Sequence, residues 1–166
     1  MTTRRPAVLA VAVVCAACAG EPAAPSRVDA AITRPTDTIR FQAPAALYRC
    51  DGAPDLLLEA VRYGNGVLVW LRSRDSLARE FPIIGVQDTI TRPGAVVAVR
   101  YHHEAVPHSL ALDSGTVSWT DSGAVRRIAV TGSGLDVGFG VRAGLTATFG
   151  GVPPAPESTV SCARKP

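Results

Sequence analysis

All three histidines of the chain and one carboxylate lie in one short segment, residues 102–108, which reads HHEAVPH. Imidazole nitrogens and carboxylate oxygens are ligands for zinc and related metal ions. The helical zinc motif needs two histidines four residues apart, whereas His103 and His108 are five apart and Pro107 disfavours a helix. The segment therefore predicts a loop between two strands. This loop either gathers His102, His103, Glu104 and His108 around a metal ion or is an exposed polar turn.

Other patterns that carry catalysis or nucleotide binding are missing from this sequence. There is no Gly-x-Ser-x-Gly nucleophile elbow and no phosphate loop ending in Gly-Lys-Ser/Thr. The glycine-rich stretches 132–134 and 138–140 are flanked by strand patterns on both sides, whereas a dinucleotide fingerprint needs a strand followed by a helix. The sequence therefore predicts a protein that is not an enzyme and that carries no cofactor.

The first 17 residues have the character of a removable export signal. Arg4 and Arg5 precede an apolar run from Ala7 to Ala17, and no acidic residue lies among them. This run is shorter than the roughly 20 apolar residues that a membrane-spanning helix needs. A positively charged start followed by a short apolar run is typical of a signal peptide.

The residues just before Cys18 resemble the lipobox of bacterial lipoproteins, in which small residues precede a cysteine that becomes lipidated. The match covers Ala16, Ala17 and Cys18, while Cys15 stands where the family usually has leucine. The resemblance implies a lipid anchor on Cys18. Because Ala19 rather than Asp follows that cysteine, the resemblance also implies the outer membrane of a Gram-negative envelope. The expected location is therefore the outer membrane or the periplasm, through the lipid anchor.

A second cleavage site remains open. The tripeptide 17–19, Ala-Cys-Ala, also satisfies the Ala-x-Ala rule, and cleavage before Gly20 would release a soluble secreted domain. Both alternatives place the mature protein outside the cytoplasm.

Charge excludes one class of partner. The chain has 17 Lys and Arg and 14 Asp and Glu, and removal of Arg4 and Arg5 with the signal leaves 15 against 14. A nearly neutral domain has no general electrostatic attraction to nucleic acid. The expected partners are the membrane, through the lipid anchor, and an envelope protein or a cell-wall component.

The cysteine count predicts one disulfide bond. Cys15 leaves with the signal and Cys18 is lipidated or cleaved off, so only Cys50 and Cys162 remain. In an oxidising compartment two remaining cysteines most simply pair with each other. The bridge would close a loop of 111 intervening residues.

The mature chain divides into a tether and one domain. Residues 18–36 are rich in proline and alanine and predict a disordered, lipid-anchored tether. Residues 37–166 predict a single all-β domain. Gly64-Asn65-Gly66 separates two strand patterns, and Leu135, Val137, Phe139 and Val141 alternate in the clearest predicted strand.

About 8–10 short strands with regular turns predict an antiparallel β-sandwich or small barrel. At most one short helix, Arg74–Glu80, accompanies them. A short edge at Ser158–Cys162 would bring Cys162 beside Cys50.

Two resemblances concern this domain. The segments 113–123, 128–132 and 146–149 resemble the closing strands of uncharacterised all-β envelope lipoprotein domains. Residues 48–52 (YRCDG) and the pair Ser114-Gly115 are similar to parts of the membrane-bound inhibitors of C-type lysozyme. That family consists of small lipoproteins with a compact barrel and a disulfide joining the two ends of the domain. The present domain is longer and lacks the tyrosine that the family has just after its Ser-Gly.

The sequence thus predicts a lipid-anchored envelope protein with a non-catalytic binding or structural role and an unidentified ligand. The alternative is a periplasmic inhibitor of a lysozyme-type cell-wall hydrolase, which would use Ser114 and Gly115.

Overall fold

The computed structural model describes residues 25–73 and 78–162, and these form ten β-strands. The strands are β1 Arg27–Thr33, β2 Thr38–Cys50, β3 Leu56–Arg62, β4 Asn65–Arg72, β5 Glu80–Pro82, β6 Gly94–His103, β7 Val106–Ser122, β8 Val125–Asp136, β9 Val141–Val152 and β10 Ser158–Val160. Within these two ranges there is no helix, and hence none long and apolar enough to cross a membrane. The predicted all-β class is confirmed. The candidate helix Arg74–Glu80 falls partly outside the described ranges, and Glu80 itself begins β5.

Eight of the strands close into an antiparallel barrel. The order is β1-β9-β8-β7-β6-β4-β3-β2, and pairing between β1 and β2 completes the ring. Two short strands lie outside the ring, since β5 pairs with β7 and β10 adds to β2 in parallel. The open choice between sandwich and barrel is therefore settled in favour of a barrel. Because closure pairs every strand on both sides, the ring has no free edge.

The prediction of a disordered tether over residues 18–36 is wrong for its second half. Residues 27–33 form β1, which pairs with β2 on one side and β9 on the other. Val28, Ala30 and Ile32 alternate along this strand and are all buried. Fully burying an aliphatic side chain stabilises a fold by about 1.5–3 kcal/mol, and closing the ring also pairs the backbone. Together these two contributions offset the conformational entropy that residues 27–33 lose when they become ordered. Residues 18–24 lie outside the described ranges.

The barrel interior is filled by side chains from alternate strand positions, because successive residues of a strand point to opposite faces. On β9, Leu145, Ala147 and Phe149 face inward and are buried, as their spacing predicts. An eight-stranded barrel is just wide enough for its side chains to fill it. Any binding surface must therefore lie on the outer wall or at one of the two ends.

The connections define the two ends of the barrel. At the upper end lie the four tight turns 34–37, 63–64, 104–105 and 137–140. At the lower end lie Ser26, the connections 51–55 and 123–124, the described parts of the connection between β4 and β6 (73 and 78–93), and the segment 153–157 that follows β9. The chain therefore enters the barrel at the lower end.

The segment Leu135–Val141, predicted as the clearest strand, is in fact the end of β8, a tight turn and the start of β9. Gly140 has a φ of 66° there, and the backbone N–H of Gly138 donates to the Asp136 side chain at 3.1 Å. Val137 is 67% exposed and Phe139 is 46% exposed. Apolar residues do alternate along this segment, but the turn leaves the Val137 and Phe139 side chains on the surface.

The predicted disulfide between Cys50 and Cys162 is confirmed. β10 brings Cys162 to this place, since Val160 pairs with Cys50 at the lower end of β2. The bridge therefore ties the segment that follows the barrel back to one of its first strands.

Candidate functional site

The four predicted metal ligands are not brought together. On β6, His102 faces outward beside Gly64, whereas His103 faces the upper mouth of the barrel. Glu104 is exposed in the turn between β6 and β7, and His108 is buried. In the described part of the chain no group of three or more His, Cys, Asp or Glu side chains could hold a metal ion. The metal-site prediction is therefore wrong, because strand alternation puts His102 and His103 on opposite faces.

His108 instead belongs to a buried polar cluster at the upper end. Its ring stacks between Phe139, at 4.3 Å between ring centres, and Tyr101, at 5.3 Å. The Tyr101 hydroxyl donates a hydrogen bond to Asp136, and His108 Nδ1 lies 3.8 Å from the other oxygen of that carboxylate. Asp136 is completely buried. The Asp136 carboxylate thus links Tyr101 on β6 and His108 on β7 to the turn between β8 and β9.

Arg34 covers this cluster from the turn between β1 and β2. Its guanidinium lies 4.4 Å from the centre of the Phe139 ring, and its Nε donates to Asp37 at 2.6 Å. The hydrogen bond from Arg34 lowers the pKa of the Asp37 carboxyl, although desolvation partly opposes it. His103 Nδ1 lies 3.7 Å from Asp37 on the same side. Phe139 and Arg34 together therefore close the upper mouth.

Tyr101 keeps its proton in this cluster. Burial, and then the hydrogen bond and charge of Asp136, raise the pKa of Tyr101 to about 12. A tyrosine that stays neutral, with its hydroxyl committed to a buried carboxylate, is a poor proton acceptor or donor for a substrate near neutral pH. The arrangement fits a structural plug of the upper mouth.

Ser114 and Gly115 lie in the middle of β7 rather than in a loop. The register between β7 and β8 shifts between Leu112 and Ser114, which marks a β-bulge. Gly115 has a φ of 123°, and a Cβ there would lie 2.2 Å from the carbonyl oxygen of Thr131. Ser114 is exposed and its hydroxyl lies 3.0 Å from that of Ser133. The bulge thus presents Ser114 on the outer wall, but as part of a paired strand.

An apolar band crosses the outer wall of the barrel, and the strand registers define it. Leu68 on β4 pairs with Ala98 on β6, Ala98 pairs with Ala111 on β7, and Ala111 pairs with Leu135 on β8. These four residues, here called the outer stripe, sit at outward-facing positions next to buried inward-facing neighbours. An outward apolar residue on four adjacent strands breaks the usual pattern of a wall with polar residues outside.

The outer stripe continues towards the upper end. Val61 and Val137 are both exposed, and with Leu68, Ala98 and Ala111 they line a shallow groove of about 360 Å³. Contiguous exposed apolar surface of this kind marks interaction sites on soluble domains. Sequence reasoning missed this surface, because its members come from separate strands and only the register places them side by side.

Cys18, the predicted lipidation site, lies outside the described residues. The comparisons with known proteins add no family: no protein-family model, no curated protein and no solved structure matches the chain.

Proposed function

We propose that this chain is a lipid-anchored cell-envelope protein that binds a protein partner through the outer stripe and catalyses no reaction. The observation that carries the proposal is the outer stripe itself, an apolar outward residue on each of four neighbouring strands. When a partner covers its exposed leucines, Leu68 and Leu135, apolar surface is removed from water and the free energy of the complex falls.

The expected place of the lipid anchor implies how the barrel would be oriented on the membrane. Ser26 lies at the lower end, where its hydroxyl donates to the carbonyl of Gly151 at 2.7 Å. Eight residue steps separate Cys18 from Ser26, which span at most roughly 28 Å when fully extended. A lipid on Cys18 would therefore keep the lower end near the membrane. The upper part of the wall, with Val61 and Val137, would face away from it.

The polar margins of the groove favour a protein partner. Glu59, Arg100 and Ser109 line it together with the apolar residues. An apolar centre with charged and hydroxyl groups at its edge is typical of protein–protein interfaces. The charges at the margin would contribute more to orientation and specificity than to affinity.

A hydrolase inhibitor is the second candidate. The disulfide that ties Cys162 back to Cys50, together with the closed barrel, agrees with what the resemblance to the lysozyme inhibitors implies. The place of Ser114 in a strand rather than a loop departs from that resemblance. The two candidates separate in a lysozyme assay, since an inhibitor would bind saturably and lose that binding on Ser114→Trp.

Site-specific crosslinking tests the proposed docking surface. A photo-reactive residue at Ala98, in the centre of the stripe, should form an adduct with one envelope protein. The adduct should disappear when Leu135→Glu is added, because a carboxylate at that place must be desolvated on docking. The matched control is a photo-reactive residue at Ala31, an outward position on β1, the strand across the ring from β6.

Equal adducts from Ala98 and Ala31 would contradict the proposal. Leu135→Glu should leave the fold intact, since exposed substitutions usually change stability by less than about 0.5 kcal/mol. An adduct with a second copy of this chain would replace the proposed partner with self-association.

A further inference from the structure

The lower mouth of the barrel contains a second surface that differs in chemistry from the outer stripe. Strand alternation places the last inward-facing positions of several strands around this mouth. A cavity of about 300 Å³ opens there, and its lining from the barrel strands and β5 consists of Arg49, Leu56, Leu71, Phe81, Trp119 and Arg126. This volume lies at the small end of the range for ligand pockets.

The floor of this cavity is apolar and contains one unsatisfied donor. Leu71 and Phe81 are buried, and the Phe81 ring meets the Trp119 ring edge-on with 5.8 Å between centres. Trp119 is only 8% exposed, and its indole Nε1–H has no hydrogen-bond partner among the described residues.

The rim of the cavity is cationic. The guanidinium of Arg126 lies 4.6 Å from the centre of the Trp119 ring, and its Nε donates to Asp121 at 2.9 Å. Within residues 25–73 and 78–162, the two terminal amino groups of Arg126 have no hydrogen-bond partner. In the same ranges Arg49 forms no ion pair. A guanidinium offers paired donors that match a carboxylate. Two such groups therefore face the mouth of an apolar cavity.

A proline-containing strap borders the same cavity. Pro154 and Pro156 line it, and they lie between the end of β9 and β10. The N–H of Glu157 donates to the carbonyl of Leu47 at 2.8 Å, and the bond between Cys50 and Cys162 fixes the end of this segment. The strap thus supplies a preformed wall, which lowers the ordering cost of binding.

We infer that the lower mouth binds a small monocarboxylate with a short apolar body. The apolar body would lie against Leu71, Phe81 and Trp119, and the carboxylate would accept hydrogen bonds from Arg126 and Arg49 at the rim. This inference goes beyond the proposed docking function, because it concerns a different end of the barrel and a different ligand class. It does not depend on the outer stripe.

Octanoate is a suitable probe, with octanol and acetate as matched controls. The experiment uses the disulfide-bonded mature chain with Trp70→Phe, which leaves Trp119 as the only tryptophan of the two in the sequence. Octanoate should change the Trp119 emission saturably with a Kd below about 1 mM. Octanol, which lacks the charge, and acetate, which lacks the apolar body, should each bind at least about tenfold more weakly.

Two variants keep the test decisive. Arg126→Gln should weaken octanoate binding about tenfold, the effect of losing one charge-assisted hydrogen bond, and should leave octanol binding unchanged. Arg49→Gln provides the same test at an exposed side chain, in case Arg126→Gln fails to fold. Arg40→Gln, at an exposed outward position near the upper end of β2, should have no effect. Calorimetry with the unmodified chain gives a second readout. No saturation by octanoate, or equal affinity for octanoate and octanol, would overturn the inference.

Discussion

Replacing both Cys50 and Cys162 with alanine is expected to lower the free energy of unfolding by about 2–5 kcal/mol. The bridge joins residues 112 positions apart, so six of the eight ring strands, β3, β4 and β6 to β9, lie inside the closed loop. In the chain-entropy description, a loop of about 100 residues gives up to about 4.7 kcal/mol by restricting the unfolded chain. Urea denaturation monitored by circular dichroism measures the change.

The wild-type protein treated with a reductant is the matched control for this double substitution. Its free energy of unfolding should fall by about the same amount, while the double alanine variant should not respond to reductant at all. The barrel itself should persist in both, because the strand β10 that the bridge secures lies outside the ring. A loss below about 1 kcal/mol would contradict the stabilising role of the bridge.

The substitution Asp136→Ala is expected to lower the free energy of unfolding by about 3 kcal/mol or more. The Asp136 side chain is 0% exposed and accepts hydrogen bonds from the Tyr101 hydroxyl and the Gly138 N–H. Its removal leaves a buried hydroxyl without that acceptor and unties the turn between β8 and β9. Asp113→Ala is the matched control, because the ion pair of Asp113 with Arg142 is exposed and such pairs contribute at most about 1 kcal/mol.

The alkaline limb of the stability profile gives this prediction a second readout. The pKa of Tyr101 is about 12 in the folded protein, against an ordinary value near 10. The folded state therefore keeps a proton that the unfolded chain loses, so stability is complete below pH 10 and falls as the pH rises through 12. Tyr101→Phe should remove this fall. An unchanged alkaline limb in Tyr101→Phe would contradict the assignment.

Several parts of the fold could be predicted because they depend on local patterns. Gly64 and Asn65 lie in or beside the turn that separates β3 from β4, and Leu145 and Phe149 lie inward on β9 as their period of two requires. The disulfide followed from counting the cysteines that the predicted export would leave in the mature chain. These features need only neighbouring residues or a count.

Other parts depend on context that a linear pattern does not contain. The alternation from Leu135 to Val141 crosses a turn, because Gly140, with a φ of 66°, lets the chain reverse where a strand would have continued. The alternation in residues 27–33 was hidden by proline and alanine around it, although Val28 and Ile32 are core residues.

The sites were harder to predict than the fold, for the same reason. His102 and His103 are neighbours in sequence, and both lie on β6. Neighbouring residues of a strand point to opposite faces, so the two side chains cannot share one metal ion. The outer stripe and the lower mouth, in contrast, draw one or two residues from each of several strands. Only the order and register of the strands bring Leu68 near Leu135, or Arg49 near Arg126, around one surface.

The central claim, that this barrel is held in the envelope by a lipid, is tested most directly at its amino terminus. The protein is extracted with detergent from its native envelope, digested with trypsin, and the peptide ending at Arg27 is measured by mass spectrometry. The account predicts a peptide from Cys18 to Arg27 that carries a diacylglycerol group and an acyl chain. An unmodified peptide from Gly20 to Arg27 would contradict it and would make this domain a soluble secreted protein.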